Sequence, residues 1–383
     1  MIELTPLNID IASLVERLGK DGVIIDAEMS EHTSFRAGGK ADLLVLPQTE
    51  EDVAFLIKTF KTQGIPFYIM GNGSNLLVRD KGYRGAIIKL AKNFSRCLLV
   101  DDILECQSGV LLSRIAKIAL ENHLTGFEFA SGIPGTLGGA VTMNAGAYDG
   151  ELKDVLLSAR CIDADGNFVE LVNGRLELGY RTSAVQKKGL IVLSGKLKLN
   201  SSSFEPIKEK MDHFDSLRKS KQPLHLPSAG STFKRPTGYF AGKLIQDCDL
   251  KGYRVGGAQV SEKHCGFIVN VDHATAQDII DLIDHVVDTV KERFQVTLEP
   301  EVKIIGEQQL LDRQKPDRRP LMRRIHKKVC CILSRWHLSF VHRQSIKCFL
   351  HKTGLHSPNE RLFLRLSASL PGLSPFGEGF FCF

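Results

Sequence analysis

Residues 131–150 read SGIPGTLGGAVTMNAGAYDG, and the rest of the chain is organised around this stretch. It holds six glycines (Gly132, Gly135, Gly138, Gly139, Gly146 and Gly150) and carries no charge before Asp149. Glycine admits positive φ and lets main-chain N–H groups come close to a ligand. With only Met143, Asn144 and Tyr148 as larger functional side chains, the stretch suits a flat or phosphorylated ligand held mostly by backbone. Taken alone it fits a small-residue hairpin equally well, because glycine clusters also punctuate loops. Two familiar nucleotide motifs are excluded. No G-x-x-x-x-G-K-[ST] occurs. The second glycine loop, Gly71-Asn72-Gly73-Ser74-Asn75-Leu76, lacks the third glycine of G-x-G-x-x-G, which argues against a Rossmann dinucleotide site.

The 383 residues are enough for two or three domains. Their formal charge of +6 is unevenly spread. Residues 307–383 hold 14 Lys and Arg against 5 Asp and Glu, a net of +9, which leaves −3 for residues 1–306. A mildly acidic body does not ask for nucleic acid. Cys97, Cys106, Cys161, Cys248 and Cys265 sit singly in that body with no C-x-x-C, the usage of a reducing compartment. The opening has no basic n-region ahead of a long apolar segment, and no uncharged apolar run reaches membrane-spanning length. A cytoplasmic protein without membrane contact or a metal centre is expected.

Thr49 reads as an N-cap, followed by Glu50, Glu51 and Asp52 at the positive end of a helix dipole. Val53, Leu56, Ile57 and Phe60 then repeat at helical spacing until Gly64. Pro66–Met70 reads as a buried strand running into GNGSNLLV. Such a strand aims the successive N–H groups of Gly71, Asn72, Gly73, Ser74 and Asn75 at one point, an anion nest suited to a pyrophosphate. Upstream, Thr33 and Arg36 in TSFRAGG are candidates for a phosphate or an adenine ribose. An amphipathic helix is predicted over 111–123, and strands over 155–162, 168–171 and 190–199. A charged helix over 204–219 precedes Pro223 and Pro227, which mark a linker. Beyond it come AGSTFKRP, a helix near 239–247, a long helix from Thr275 and a last strand over 302–305. The predicted organisation is a lead over 1–29, a cofactor domain over 30–199, a substrate domain over 200–306 and a basic tail over 307–383. The tail has no sustained period and reads as disordered or as a reading-frame artefact.

TSFRAGG, GNGSNLLV, SGIPGTLGGAVTMNAGAY, GYRTS, AGSTFKRP and EPEVKIIGE follow one another in this order within residues 1–306. Together they resemble the UDP-N-acetylenolpyruvoylglucosamine reductase family, in the compact subtype marked by the short passage from Arg181 to Ser231. The resemblance implies an α+β fold. A vanillyl-alcohol-oxidase-type (PCMH) FAD-binding domain of two α+β subdomains would be joined to a smaller α+β substrate-binding domain. It also implies FAD as cofactor, NADPH as hydride donor and a UDP-sugar substrate, whose enolpyruvyl ether is reduced in peptidoglycan precursor synthesis.

By the same resemblance, Gly71 to Asn75 hold the FAD pyrophosphate. Ser131, Gly132, Ile133, Pro134, Gly138 and Gly139, then Met143, Asn144, Ala145, Gly146 and Tyr148, run along the flavin. Ser231 becomes the proton donor, and Arg181 and Glu301 stabilise an enolate-like intermediate. Lys234 and Arg235 are candidates to assist Ser231 and to bind substrate phosphates, and Lys221 to touch substrate. His264 reads as structural or exposed. Two positions depart from the family: Asp249 stands where glycine is usual, and Cys265 where alanine is usual. The competing readings are a flavin oxidase of the same fold acting on an alcohol or hydroxy acid, and a non-catalytic flavin-binding scaffold. A monomer or weak homo-oligomer is expected.

Overall fold

The computed structural model describes residues 9–307. The tail read from the sequence as disordered or artefactual lies outside these residues, Glu307 excepted. Helix α1 (Ile11–Leu18) starts at Asp10, whose carboxylate accepts the Ser13 N–H at 3.2 Å, and buries Leu14 and Leu18. Strand β1 (Val23–Glu28) follows and pairs antiparallel with β2 (Lys40–Val45). The segment read as a lead therefore contributes a strand to the first sheet. Its burial is mostly intermediate or exposed, as suits an edge strand, and gives little hydrophobic pattern to detect.

Helix α2 (Glu50–Thr62) is closed by the capping box expected at Thr49. Its Oγ1 accepts the Asp52 N–H, and the Asp52 carboxylate accepts the Thr49 N–H, both at 3.1 Å. Val53, Leu56, Ile57 and Phe60 are fully buried. Each such side chain contributes about 1.5–3 kcal/mol of burial as an upper estimate. The chain continues through β3 (Phe67–Met70), β4 (Leu76–Val78) and β5 (Tyr83–Lys89). The first sheet runs β1-β2-β5-β3, with β5 parallel to both β2 and β3.

A second sheet is antiparallel throughout. It is built from β6 (Cys97–Val100), β7 (Ile103–Gln107), β8 (Leu156–Ile162), β9 (Phe168–Val172) and β10 (Ile191–Lys198) in the order β9-β8-β10-β7-β6. Helix α3 (Leu112–Glu121) and helix α4 (Leu137–Met143) share one core with this sheet, where Ile115, Leu137 and Val141 meet Leu104, Leu156 and Leu197. Helix α4 lies inside the glycine stretch, where the composition gave no helical signal. Gly138 makes it possible: a Cβ there would lie 2.8 Å from the Ser108 Cβ, and its N–H donates to the Ser108 carbonyl at 2.8 Å.

One reading of the cysteines is corrected. Cys97 and Cys106 are not separate thiols. The register of β6 and β7 sets them directly opposite, and they form a disulfide. Cys161, Cys248 and Cys265 are free and buried.

Helix α5 (Phe204–Lys221) lays Met211 and Phe214 on the core of the second sheet and turns Arg218 inward. Helix α6 (Ala241–Asp247) and a three-stranded antiparallel sheet, β11 (Arg254–Val255), β12 (Ala258–Val260) and β13 (Ile268–Asn270), come next. The long helix α7 (Ala276–Phe294) buries Ile279, Ile283, Val286 and Val290, as its periodicity predicts. Asp80, in the turn between β4 and β5, accepts the Ala276 and Gln277 N–H groups at 2.8 and 2.9 Å. A carboxylate from the first half thus caps a helix of the second, in the place where an anion is favoured.

Asp249 takes φ +60°, the left-handed region that explains glycine as the family's usual choice. A short polar side chain tolerates it better than most. Cys265 is buried in the same core as Cys248 and Leu250, which flank Asp249. The last strand, β14 (Lys303–Ile305), returns to pair parallel with β4. Among the described residues, no helix is long and apolar enough to cross a membrane.

Candidate active site

The two glycine loops close on each other. A Cβ on Gly71 would sit 2.3 Å from Thr136 Oγ1, and Asn75 Nδ2 lies 3.4 Å from Met143 Sδ. Gly73 takes φ +67° with the His32 carbonyl oxygen 2.2 Å from where a Cβ would be, so no other residue fits there. Between the loops and the second half lies a cleft of about 1310 Å³. A single small-molecule site usually measures about 300–1,000 Å³. The space suits an extended dinucleotide and a second ligand.

Most of the expected residues line this cleft: Arg36 and all of Gly71 to Asn75, then Gly132, Ile133, Pro134, Gly138 and Gly139, then Met143, Ala145, Gly146 and Tyr148. Arg181, Lys221, Ser231 and Glu301 line it too.

Five expected residues do not line it. Ser131 stands just behind Gly132. The Thr33 hydroxyl donates to the Ala37 carbonyl at 3.3 Å, and the residue is buried beneath Gly73. Asn144 spends its side chain inside the protein: Nδ2 donates to Glu151 Oε2 at 2.9 Å and to the Gly179 carbonyl at 3.2 Å, and Oδ1 accepts the Lys153 N–H at 3.0 Å. Its left-handed φ of +46° closes helix α4, a position asparagine tolerates. The Lys234 ammonium is paired with Glu299. The Arg235 guanidinium lies 4.0 Å from the centre of the exposed Phe240 ring, outside the cleft.

Arg181 sits at φ +53° in a tight turn, where Gly179 and Thr182 exchange backbone hydrogen bonds of 3.1 and 3.2 Å. The turn is fastened to the glycine stretch by Asn144 and by Ser183 Oγ, which donates to the Thr142 carbonyl at 2.7 Å. Arg181 Nε lies 2.9 Å from Glu301 Oε1. The N–H direction misses the carboxylate, so that nitrogen is close to a counter-charge yet makes no hydrogen bond. A non-glycine residue in the left-handed region and an unsatisfied buried donor at one position mark a site shaped for something other than stability.

Glu301 is held from both sides through its own backbone. Its N–H donates to the Thr232 carbonyl at 2.8 Å, and its carbonyl accepts from Asn75 Nδ2 at 3.2 Å. Thr232 is fully buried and anchors the loop that exposes Ser231 to the cleft. The Ser231 hydroxyl donates only to the Phe233 carbonyl, at 3.3 Å.

His264, read from the sequence as structural or exposed rather than catalytic, also lines the cleft. Its Nδ1 accepts the Gly266 N–H at 3.1 Å, which places the ring proton on Nε2, and burial pushes its pKa down.

Two family profiles match the chain. One, described as FAD binding domain, spans residues 41–172; the other, described as UDP-N-acetylenolpyruvoylglucosamine reductase, C-terminal domain, spans residues 222–305. The chain is 52% identical over 295 residues to the UDP-N-acetylenolpyruvoylglucosamine reductase of Clostridioides difficile, a span covering 77% of this chain and 97% of that one. With the enzyme of the same name from Clostridium botulinum it is 54% identical over 291 residues, covering 76% and 95%.

The chain belongs to the UDP-N-acetylenolpyruvoylglucosamine reductase family. The reductase structure from Thermus caldophilus superposes with a TM-score of 0.63 at 34% identity, covering 74% of this chain and 98% of that one.

The cleft fits the FAD of this reductase family. Among the described residues, the buried side-chain polar atoms without a hydrogen bond are Asn75 Oδ1, Ser108 Oγ, Arg181 Nε and Arg84 Nε. The first three belong to residues lining this cleft. Buried polar groups left without a partner are rare in folded proteins, and their grouping in one place points to a polar ligand. Ser108 and Arg218 were missed from the sequence. Ser108 follows an ordinary strand, and Arg218 stands in the run RKSK, which reads as a solvated helix end.

Proposed function

We infer that this chain is the NADPH-dependent flavoenzyme that reduces the enolpyruvyl ether of UDP-N-acetylglucosamine-enolpyruvate to UDP-N-acetylmuramate, in peptidoglycan precursor synthesis. The observation that carries the reading is the convergence of Ser231, Arg181 and Glu301 on a glycine-lined cleft, with Arg181 Nε buried and unsatisfied. FAD, when bound, supplies the two-electron carrier between NADPH and the substrate carbon.

The protein's own part is positioning and charge. Hydride arriving at the methylene carbon of the ether leaves negative charge on the neighbouring carbon and its carboxylate. Arg181 meets that charge with a fixed cation, and Glu301 holds the guanidinium in place, so little rearrangement is needed as charge develops. Ser231 delivers the proton to the neighbouring carbon. Its bond to the Phe233 carbonyl is at the long limit for a hydroxyl donor, so the proton is easily redirected.

The backbone of Gly71 to Asn75 takes the FAD pyrophosphate, and Gly132 to Pro134, Gly138, Gly139, Met143 and Ala145 to Tyr148 take the flavin. Lys221, in the cleft, is the cation for the substrate phosphates. Lys234 and Arg235, turned to Glu299 and Phe240, are given no part in proton delivery. Residues 30–199 serve the cofactor and 200–306 the substrate, with α5 resting on the cofactor half. A nucleotide-linked sugar with NADPH favours the cytoplasm. Oxidation of NADPH that depends on the enolpyruvyl substrate and yields UDP-N-acetylmuramate tests the reading. Purified holoenzyme that consumes NADPH only with oxygen would overturn it.

A further inference from the structure

Arg218 leaves the last turn of α5 and is 7% exposed. Among the described residues, only Asp52, Glu128 and Arg218 are charged and buried to this degree. Asp52 is paired with Arg17 at 2.9 Å, and Glu128 with Lys210 at 3.3 Å. Arg218 has no carboxylate within 4.0 Å. Asp215, one turn back, is paired with Lys219 at 2.6 Å. Arg218 Nη1 instead donates to the Gly132 carbonyl at 2.6 Å, and the guanidinium lies 5.5 Å from the centre of the Tyr148 ring. Tyr148 is itself stacked on Phe214 of α5, centroids 4.6 Å apart and planes 6° from parallel. The guanidinium is thus fixed by packing and lines the cleft.

A buried cation with no carboxylate in ion-pair contact, helped only by the Tyr148 side chain and by Asp215 at longer range, is costly unless a ligand brings an anion. Position decides which anion. The anion nest touches the glycine stretch at Thr136, through Gly71. Arg218 grips the stretch elsewhere, at Gly132 and Tyr148, and the leg leading to Tyr148 carries the Arg181 turn through Thr142 and Asn144. The pyrophosphate has its own donors in the nest. The part of a bound FAD for which the nest would supply no counter-charge is the reducible ring. A bound flavin ring that accepted hydride (two electrons and one proton) from NADPH, leaving NADP⁺, would carry one unit of negative charge.

We propose that Arg218 is the fixed positive charge for the flavin ring, favouring its reduced state over its oxidised one. The proposal rests on the flavoenzyme reading above. A cation near the ring is one of the ways a protein tunes a flavin. Burial without a carboxylate makes the effect large, because little solvent screens it.

The test is the midpoint potential of bound FAD in the wild type, Arg218→Met and Arg218→Lys, with FAD affinity measured in both redox states. The Met variant removes a buried charge while keeping volume, so it is expected to fold, and the flavin spectrum checks this. The Lys variant keeps the charge and serves if Met does not fold. We expect Arg218→Met to lower the preference for reduced over oxidised FAD by tenfold or more, about 30 mV per tenfold for two electrons. Arg218→Lys should keep most of the wild-type potential. An unchanged potential in Arg218→Met, or equal loss of affinity for both redox states, would overturn the proposal. A wild-type protein that binds no FAD would instead sink the reading it rests on.

Discussion

Asn75 donates from Nδ2 to the main-chain carbonyl of Glu301 at 3.2 Å, and the Asn75 carbonyl accepts the Lys303 N–H at 3.0 Å. A residue of the 71–75 loop therefore holds the segment leading into β14, which carries Glu301, the acidic partner of Arg181. The loop of Ser231 holds the same segment from the other side through Thr232. The 71–75 loop, the loop of Ser231 and Glu301 are joined by one short piece of backbone.

Asn75→Ala should therefore weaken the site at a distance from the ring. Loss of one such hydrogen bond costs about 0.5–1.5 kcal/mol. We expect a roughly tenfold fall in kcat, together with faster hydrogen exchange of the Glu301 and Lys303 amides. A slower enzyme with unchanged exchange at those amides would show that Asn75 acts on the cofactor alone.

Ser231→Ala should leave flavin reduction by NADPH close to normal. The second half-reaction should slow by roughly 10²–10⁴-fold, the usual range for loss of general acid catalysis. Stopped-flow absorbance separates the two steps. Equal damage to both would remove Ser231 from proton delivery.

His264 makes stability depend on pH in a defined direction. Burial lowers its pKa below the ordinary value of 6.5, so the folded state binds a proton less readily than the unfolded chain. Its contribution to stability is complete above pH 6.5 and is lost as pH falls from there through the folded pKa. His32, lowered by burial and then by Lys89, adds in the same sense. His264→Asn should flatten the fall in Tm between about pH 7 and pH 5. A Tm profile parallel to that of the wild type would contradict this.

Among the described residues, those lining the cleft lie between Ser34 and Lys303. An enzyme ending at Glu307 should keep its turnover and its bound FAD. A clear loss of either would give residues 308–383 a part in the reaction.

Where a strong period or cap exists, the fold was legible before the structure. Helices α2 and α7 follow from Thr49 and Thr275 and from the buried rows behind them. The cleft was legible in the motifs, since Gly71 to Asn75, Arg181, Ser231 and Glu301 all line it. Strand β1 escaped because an edge strand needs little apolar pattern. Helix α4 escaped because glycines admitted by close packing against Ser108 hide a helical segment. Cys97 and Cys106 escaped because their pairing is a matter of register between β6 and β7, which spacing does not reveal. Lys234 and Arg235 share a loop with Ser231 but not its direction. Arg218 was hidden for the opposite reason, since one residue of a charged helix end turns inward while its neighbours stay in water.

The most direct test of the whole account is an anaerobic experiment in two steps on the purified holoenzyme. Bound flavin is reduced with NADPH, UDP-N-acetylglucosamine-enolpyruvate is added, and the oxidised spectrum is followed. Rapid return of that spectrum with formation of UDP-N-acetylmuramate is the expected result. Flavin that stays reduced with this substrate and reoxidises only when oxygen is admitted would contradict it.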